Sequence, residues 1–425
     1  MHLQKLLQYM VFNRVDMKYV KLILVCVALL CSGCSGDNKS EDNVLRFGCF
    51  LNSPEHQQEL EQLLKEFSEK EGMSVELIGL NWSDGKTKLI SAFNSGTEPD
   101  VIELGSDWVA QFSGGGVLSP LTLQEIQSER FPSVSLDPAK WEGSHYAVPW
   151  VLSTRILFVN EDLRRKAGLS SMPYPQTMKE LLDQSAKVKS IGGEGIYGIG
   201  IVSQDLHQVY KRVLPIMWSN GGDVLSAKGR PILNNPGNVE ALESYVALVP
   251  HGIIESAKQL DKLFIQGKIG FWVSGPWLLE KIPKEQSSLN FGLALVPGMK
   301  AGTGLSFTGG DYLAISKNSK KRAKALRLIQ FLTAGKQTMR LCRLSITAGI
   351  PADLEGQKDP FFSTIKGFSV FIDQLGKSRL SAVHPKWLDI EYAFEMAVSQ
   401  AVYGRQSPRE ALQEAQETVQ ALMSH

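Results

Sequence analysis

Apolar and polar positions alternate between two periods along most of the chain. Val44–Leu51 is a short apolar-rich run and reads as a strand. His56–Glu71 then carries Leu60, Leu63, Leu64 and Phe67 on one helical face, and Gly72 stands where a helix stops. Val75–Leu80 reads as a second strand, Thr87–Asn94 as a helix and Val101–Leu104 as a third strand. This β–α–β–α–β order predicts a parallel, doubly wound sheet, with ligands approaching the carboxyl ends of its strands. Asn52, Ser53 and the segment Gly105–Trp108 lie at such ends.

The same alternation continues downstream. Tyr146–Asn160 reads as extended, Met178–Lys189 as a helix and Ile196–Ile201 as a strand. Val239–Leu248 is helical, Ile269–Val273 a strand, and Trp277–Ile282 opens another helix. Phe291–Val296 and Tyr312–Ser316 are strands, and Lys320–Leu332 and Pro408–Leu422 are amphipathic helices. No short repeat occurs and no long Pro- or Ser-rich linker separates two autonomous domains, so the chain is expected to pass between two lobes several times.

The N-terminus follows a different rule. From Met17, Lys18 and Lys21 precede an apolar core over Leu22–Leu30, and Ser32 and Gly33 precede Cys34. The core is too short to span a bilayer, which needs roughly 20 residues, and reads as an export signal. The small–small–Cys ending resembles a bacterial lipoprotein signal and implies lipidation of Cys34, although Cys31 stands where that signal usually has Leu. Met17 is the more natural start. Residues 35–43 are polar and aperiodic, as in a flexible tether.

Composition narrows the class. With 425 residues, 43% hydrophobic and 21% charged, the chain is globular and long enough for two lobes. A net charge of +1, from 45 basic and 44 acidic residues, gives no electrostatic case for nucleic acid. Only Cys49 and Cys342 fall in the body, either as a disulfide or as two buried thiols. No Cys/His cluster suggests a metal, and no GxSxG, HExxH or Walker motif suggests catalysis.

Six stretches in order carry a resemblance: GTEPDVIEL, YAVPWVLSTRILFVNEDLRRKAGL, WSNGGDVL, FIQGKIGFWVSGPWLLEKI, FTGGDYLAISKNSKKRAKALRLIQFL and YGRQSPREALQEAQETV. They resemble the extracellular solute-binding proteins of carbohydrate ABC importers, the maltose-binding-protein group. The resemblance implies an α/β, two-lobed periplasmic-binding-protein-like fold, each lobe a sheet flanked by helices, with the ligand in the cleft between them. It implies residues 44–152 and 300–350 in one lobe and 155–296 and 353–425 in the other, with crossings near Leu152–Arg155, Val296–Gly302 and Gly349–Asp353. It further implies a monomeric extracytoplasmic binding protein without cofactor or catalysis, which hands a carbohydrate to a membrane permease. Hinge closure around the ligand is the motion known for such folds.

A sugar offers apolar C–H faces to aromatic rings and hydroxyls to short polar groups. On the resemblance, Trp277 stacks on the sugar and Asp107 accepts its hydroxyls. Gly310 lets backbone approach a ligand, and Asp311 reaches hydroxyls; the alternative there is a tight turn. Trp108 either stacks or packs, and Arg155 binds either hydroxyls or a carboxylate of the protein. Trp150, Asn220, Asn52, Ser53 and Glu391 complete the candidates, whereas Trp82, Trp272 and Trp387 are read as packing. Ser153 stands where the family's maltose binder has Glu, so maltose itself is not implied. A phosphorylated ligand would call for several Arg or Lys in the cleft, and a polyamine for more acids.

The export reading has a direct test. Cys34→Ala is expected to abolish lipid labelling and to release the protein from membranes or leave it unprocessed. Wild-type protein recovered in the cytosol with its first residues intact would overturn that reading.

Overall fold

The computed structural model describes residues 43–424, apart from 52, 83, 194, 204, 206, 227 and 287. The export signal, Cys34, most of the tether and Asn52 lie outside the described residues.

The first helix among the described residues shows how local chemistry sets the elements. It runs over Pro54–Glu71; Ser53 Oγ accepts from the His56 amide, Pro54 takes a position that needs no amide donor, and Gly72 ends it at φ 64°. Its buried face is His56, Leu60, Leu63, Leu64 and Phe67. The last helix, Pro408–Met423, begins with a reciprocal capping box between Ser407 and Glu410.

Among the described residues the strands form two large sheets. The first runs in the order Ile350–Pro351, Ala147–Thr154, Ser306–Ile315, Val101–Gly105, Val44–Phe50, Ser74–Leu80, with Ser378–Arg379 joined to Ser306–Phe307. The second runs Phe291–Ala294, Ile156–Asn160, Ile269–Ser274, Tyr197–Val202, Gly252–Glu255. Neither is wholly parallel: Val44–Phe50 and Val101–Gly105 are parallel, but Ser306–Ile315 lies antiparallel to Val101–Gly105 and Ala147–Thr154, and Ile156–Asn160 lies antiparallel to Ile269–Ser274 and Phe291–Ala294.

The long extended stretch 146–160 therefore splits. Ala147–Thr154 belongs to the first sheet and Ile156–Asn160 to the second, with Arg155 between them. The chain returns between Ala294 and Ser306. At 349–353, Ile350–Pro351 is hydrogen-bonded into the first sheet against Leu152 and Val151, and the chain meets that sheet again at Ser378–Arg379. The helix Trp387–Val402 then packs on Tyr210–Ser219 and Pro236–Val246 of the second lobe.

Cys49 and Cys342 are both buried and free. The Cys49 thiol lies 2.9 Å from Glu103 Oε2, and burial pushes the Cys342 thiol up to about 12. Trp272 and Trp387 are fully packed. Trp387 meets Tyr210 edge-on at 5.8 Å. Trp387→Ala should cost about 3–5 kcal/mol, seen as a lowered melting temperature; an unchanged melt would remove this ring from the core.

Candidate functional site

The carboxyl ends of strands from both sheets converge on one region. Val101–Gly105 delivers Ser106, Asp107 and Trp108. A Cβ at Gly105 would come within 2.8 Å of Asp107 Oδ1, so glycine there leaves room for the carboxylate. The Trp108 ring lies 5.3 Å from Trp82 at an interplanar angle of 55°, and Trp82 is stacked on Phe50 at 4.1 Å. Trp82 is nonetheless 44% exposed. One ring face is backed and the pair forms an open aromatic corner. Lys86 Nζ sits 5.4 Å from the Trp108 ring centroid, buried and without a hydrogen-bond partner.

The second lobe supplies the facing wall. His207 adopts φ 65°, a left-handed conformation that is uncommon outside glycine. It is held there by two carboxylates of the helix Trp387–Val402. Glu391 Oε1 lies 2.5 Å from His207 Nδ1, and Glu395 accepts from the backbone amides of His207 (3.0 Å) and Tyr210 (3.1 Å). The Glu391 hydrogen bond raises the His207 pKa. Burial pushes Glu395 up to about 7, reinforced by Glu391. Burial also raises Glu391, against the pull of His207, and lowers Lys211. The charge of Asp107 is felt at His207, Tyr210, Lys211 and Glu391, so it lies near this wall.

Arg155 sits where the two sheets join, and Asp311 lies in the first sheet between Gly105 and Val151. Asp311 lies where the ladder between Ser306–Ile315 and Ala147–Thr154 shifts register. Burial and the Asp107 charge push its carboxyl up to about 7. Arg155 is 7% exposed; its Nη1 donates to Ser153 Oγ (3.1 Å) and the Thr154 carbonyl (3.3 Å). Burial, with Arg212 nearby, lowers it to about 9. Its guanidinium stacks 4.5 Å from the Trp277 ring, whose indole N–H donates to Asp261.

Of the residues singled out in the sequence, Asp107, Trp108, Asp311 and Glu391 come together here, with Arg155 and Trp277 on the adjoining wall. Trp277 is half-buried, with Arg155 over its ring and Gly275 against its six-membered edge. Four others serve partners within the protein. Trp150 is 3% exposed and donates its indole N–H to the Leu332 carbonyl. Ser53 is a helix cap. Asn220 spends its amide on the Gly237 carbonyl and Glu240. Gly310 answers a strand neighbour, because a Cβ there would come 2.2 Å from the Val151 carbonyl oxygen.

Trp82, Lys86, His207, Tyr210, Lys211 and Asp261 had no motif to mark them. Trp82 had one usable signal: it follows Ser74–Leu80, at a strand's carboxyl end. Its reading as a packing residue is corrected by its exposure.

The buried atoms left without partners include Lys86 Nζ, Arg155 Nε, the Tyr210 hydroxyl and Glu391 Oε2. Natural interiors rarely leave such groups unpaired away from functional sites. A larger cavity of about 860 Å³ lies on the first lobe among Phe67, Arg130, Arg327 and Met339. Its arginines are spent on ion pairs, Arg130 with Asp353 and Arg327 with Glu71, each at 2.7 Å. The convergent site is therefore the stronger candidate.

The raised carboxyls at Asp311 and Glu395 carry a stability consequence. In the unfolded chain such groups titrate near 4, so between about 4 and 7 the native state holds more protons than the unfolded one. Stability contributed by these sites is lost as pH rises through that window. Asp311→Asn, matching the neutral acid in shape, should gain melting temperature relative to wild type as pH rises from 4 to 8. A difference that stays flat over that range would contradict the burial of this charge.

A profile of the family described as bacterial extracellular solute-binding protein matches residues 52–339. A Brucella abortus protein described as a binding protein is 26% identical over 376 residues, 85% of this chain and 89% of that one. The galactooligosaccharide-binding protein of Bacillus subtilis is 24% identical over 340 residues, 76% and 77% of the two chains. Among solved structures, the sugar-binding protein MalE of Xanthomonas citri superposes with a TM-score of 0.78 at 24% identity, covering 90% of this chain and 97% of that one. The GacH receptor of Streptomyces glaucescens, solved unliganded and with acarbose, gives 0.77 at 20% identity, covering 90% and 98%. The two-sheet architecture is thus that of the two-lobed binding proteins, whose family binds solutes and does not catalyse, and the chain belongs to the bacterial extracellular solute-binding protein family.

Proposed function

We propose that this protein captures a sugar or oligosaccharide outside the cytoplasm and delivers it to the permease of an ABC importer, working as a monomer tethered to the membrane by a lipid on Cys34. The observation that carries the sugar reading is the open corner of Trp82 and Trp108 beside Asp107 and Lys86. A pyranose presents an apolar face to the exposed side of Trp82. Its hydroxyl oxygens accept from Lys86 Nζ, and its hydroxyl protons go to Asp107 and Glu391 Oε2. The unpartnered atoms include both donors and an acceptor, which suits a polyhydroxy ligand better than an anion or a polyamine. The sugar ligands named for relatives support the same class.

In this reading the strands and helices around Asp107 form one lobe and those around His207 the other. A ligand that touches both walls favours the conformer in which they are close. Among the described residues no helix is long and apolar enough to cross a membrane.

A thermal-shift screen with mono- and oligosaccharides tests the class, because a ligand of the folded state raises its stability. With a sugar found there, Trp82→Ala should weaken binding by about 2–4 kcal/mol, roughly 30- to 1,000-fold, while keeping a cooperative melt. Trp277→Ala should weaken binding and also lower the melting temperature, because that ring is half-buried. Calorimetry on both variants reads the difference. Normal affinity in Trp82→Ala would move the sugar away from the aromatic corner, and no stabilisation by any sugar would overturn the class.

A further inference from the structure

The helix Trp277–Glu285 leaves the second sheet at the carboxyl end of Ile269–Ser274. Its first turn is gripped by Asp261, a carboxylate only 5% exposed. Asp261 Oδ1 accepts from Trp272 Nε1 and Ser274 Oγ, both at 2.8 Å. Oδ2 accepts from Trp277 Nε1 at 2.8 Å, with Lys281 Nζ at 3.4 Å. Four donors around one buried carboxylate leave the Trp277 ring little freedom, and charge-assisted bonds of this kind are the stronger ones. The ring so held lies on the guanidinium of Arg155, the residue that joins the two sheets.

One turn further on, Glu280 crosses to the other lobe. Its carboxylate accepts from Ser345 Oγ (3.1 Å) and from the backbone amide of Ile346. These two residues follow the helix Gly335–Leu344, which packs on Pro54–Glu71 of the first lobe. Shortly after them Ile350–Pro351 enters the first sheet. The same short helix therefore meets Arg155 at its start and the first lobe one turn later.

We propose that Trp277–Glu285 is a strut that couples the cleft wall to the junctions between the lobes, with Asp261 as its positioning residue and Glu280 as its tie to the first lobe. A displacement of the Trp277 ring is carried along one rigid turn to Ser345 and Ile346, so the wall and the lobe separation move together. This rests on the reading that the lobes move about their junctions. It does not depend on which sugar binds.

The test contains no ligand, so it stands or falls separately from the sugar screen. Small-angle scattering on the purified protein reads the lobe separation as the radius of gyration. Glu280→Ala should increase that radius. Ser345→Ala, which deletes one side-chain donor, should give a smaller increase. Glu280→Gln keeps an acceptor for the Ile346 amide and should stay near wild type, as should Glu285→Ala on the exposed end of the same helix. Circular dichroism melts confirm that each variant is folded, and should Glu280→Ala not fold, Ser345→Ala decides. A wild-type radius in Glu280→Ala, or an equal increase in Glu285→Ala, would overturn the strut.

Discussion

Two sheets in this protein are joined at one point by a single residue. Thr154 ends a strand of the first sheet, Ile156 begins one of the second, and Arg155 lies between them with its side chain buried. A buried guanidinium loses hydration and must find compensation inside the protein. Here the compensation comes from three directions: the Ser153 hydroxyl and Thr154 carbonyl, the face of Trp277, and the charge of Asp261. Placing that charge at the junction dictates what surrounds it. Asp261 lies near enough for its charge to favour the guanidinium, and the Trp277 ring lies against the arginine.

The cleft above this junction is a crowded set of opposite charges with few direct pairs. Asp107 faces His207, Lys211 and Glu391 from the other lobe, and its charge also lifts Asp311 below it. Burial that keeps water from Glu391 strengthens the interactions made there. The same exclusion makes the unpartnered atoms at Lys86, Tyr210 and Glu391 costly until something supplies their hydrogen bonds. On the proposed function these are the atoms a polyhydroxy ligand would satisfy, with Trp82 as the accessible apolar surface.

Much of the fold was legible because it rests on local rules. The Leu60–Phe67 stripe, the Ser53 and Ser407 caps and the stop at Gly72 act within a few residues, and the helices they predict are present. The site was only partly legible. Asp107, Trp108, Asp311 and Glu391 were singled out and lie together, but Trp150, Asn220, Ser53 and Gly310 serve neighbours close to them in the fold. Types such as Trp and Asn suit packing and turns as well as ligands, and nothing in the order of residues says which partner reaches them first. His207 shows the converse: it owes its place to Glu391 and Glu395, nearly two hundred residues away.

By itself the sequence determined the class of fold, many of its helices and strands, the export signal as an expectation and the family resemblance. These depend on periodicity, on capping and on short motifs, all of which act at short range along the chain. Only the tertiary structure decided that the stretch 146–160 divides at Arg155, that Trp82 is open while Trp277 is pinned, and that Asp261 and Glu280 hold the wall. Each of those outcomes depends on which distant groups compete for the same buried space and the same hydrogen bonds, and that competition exists only once the chain is packed.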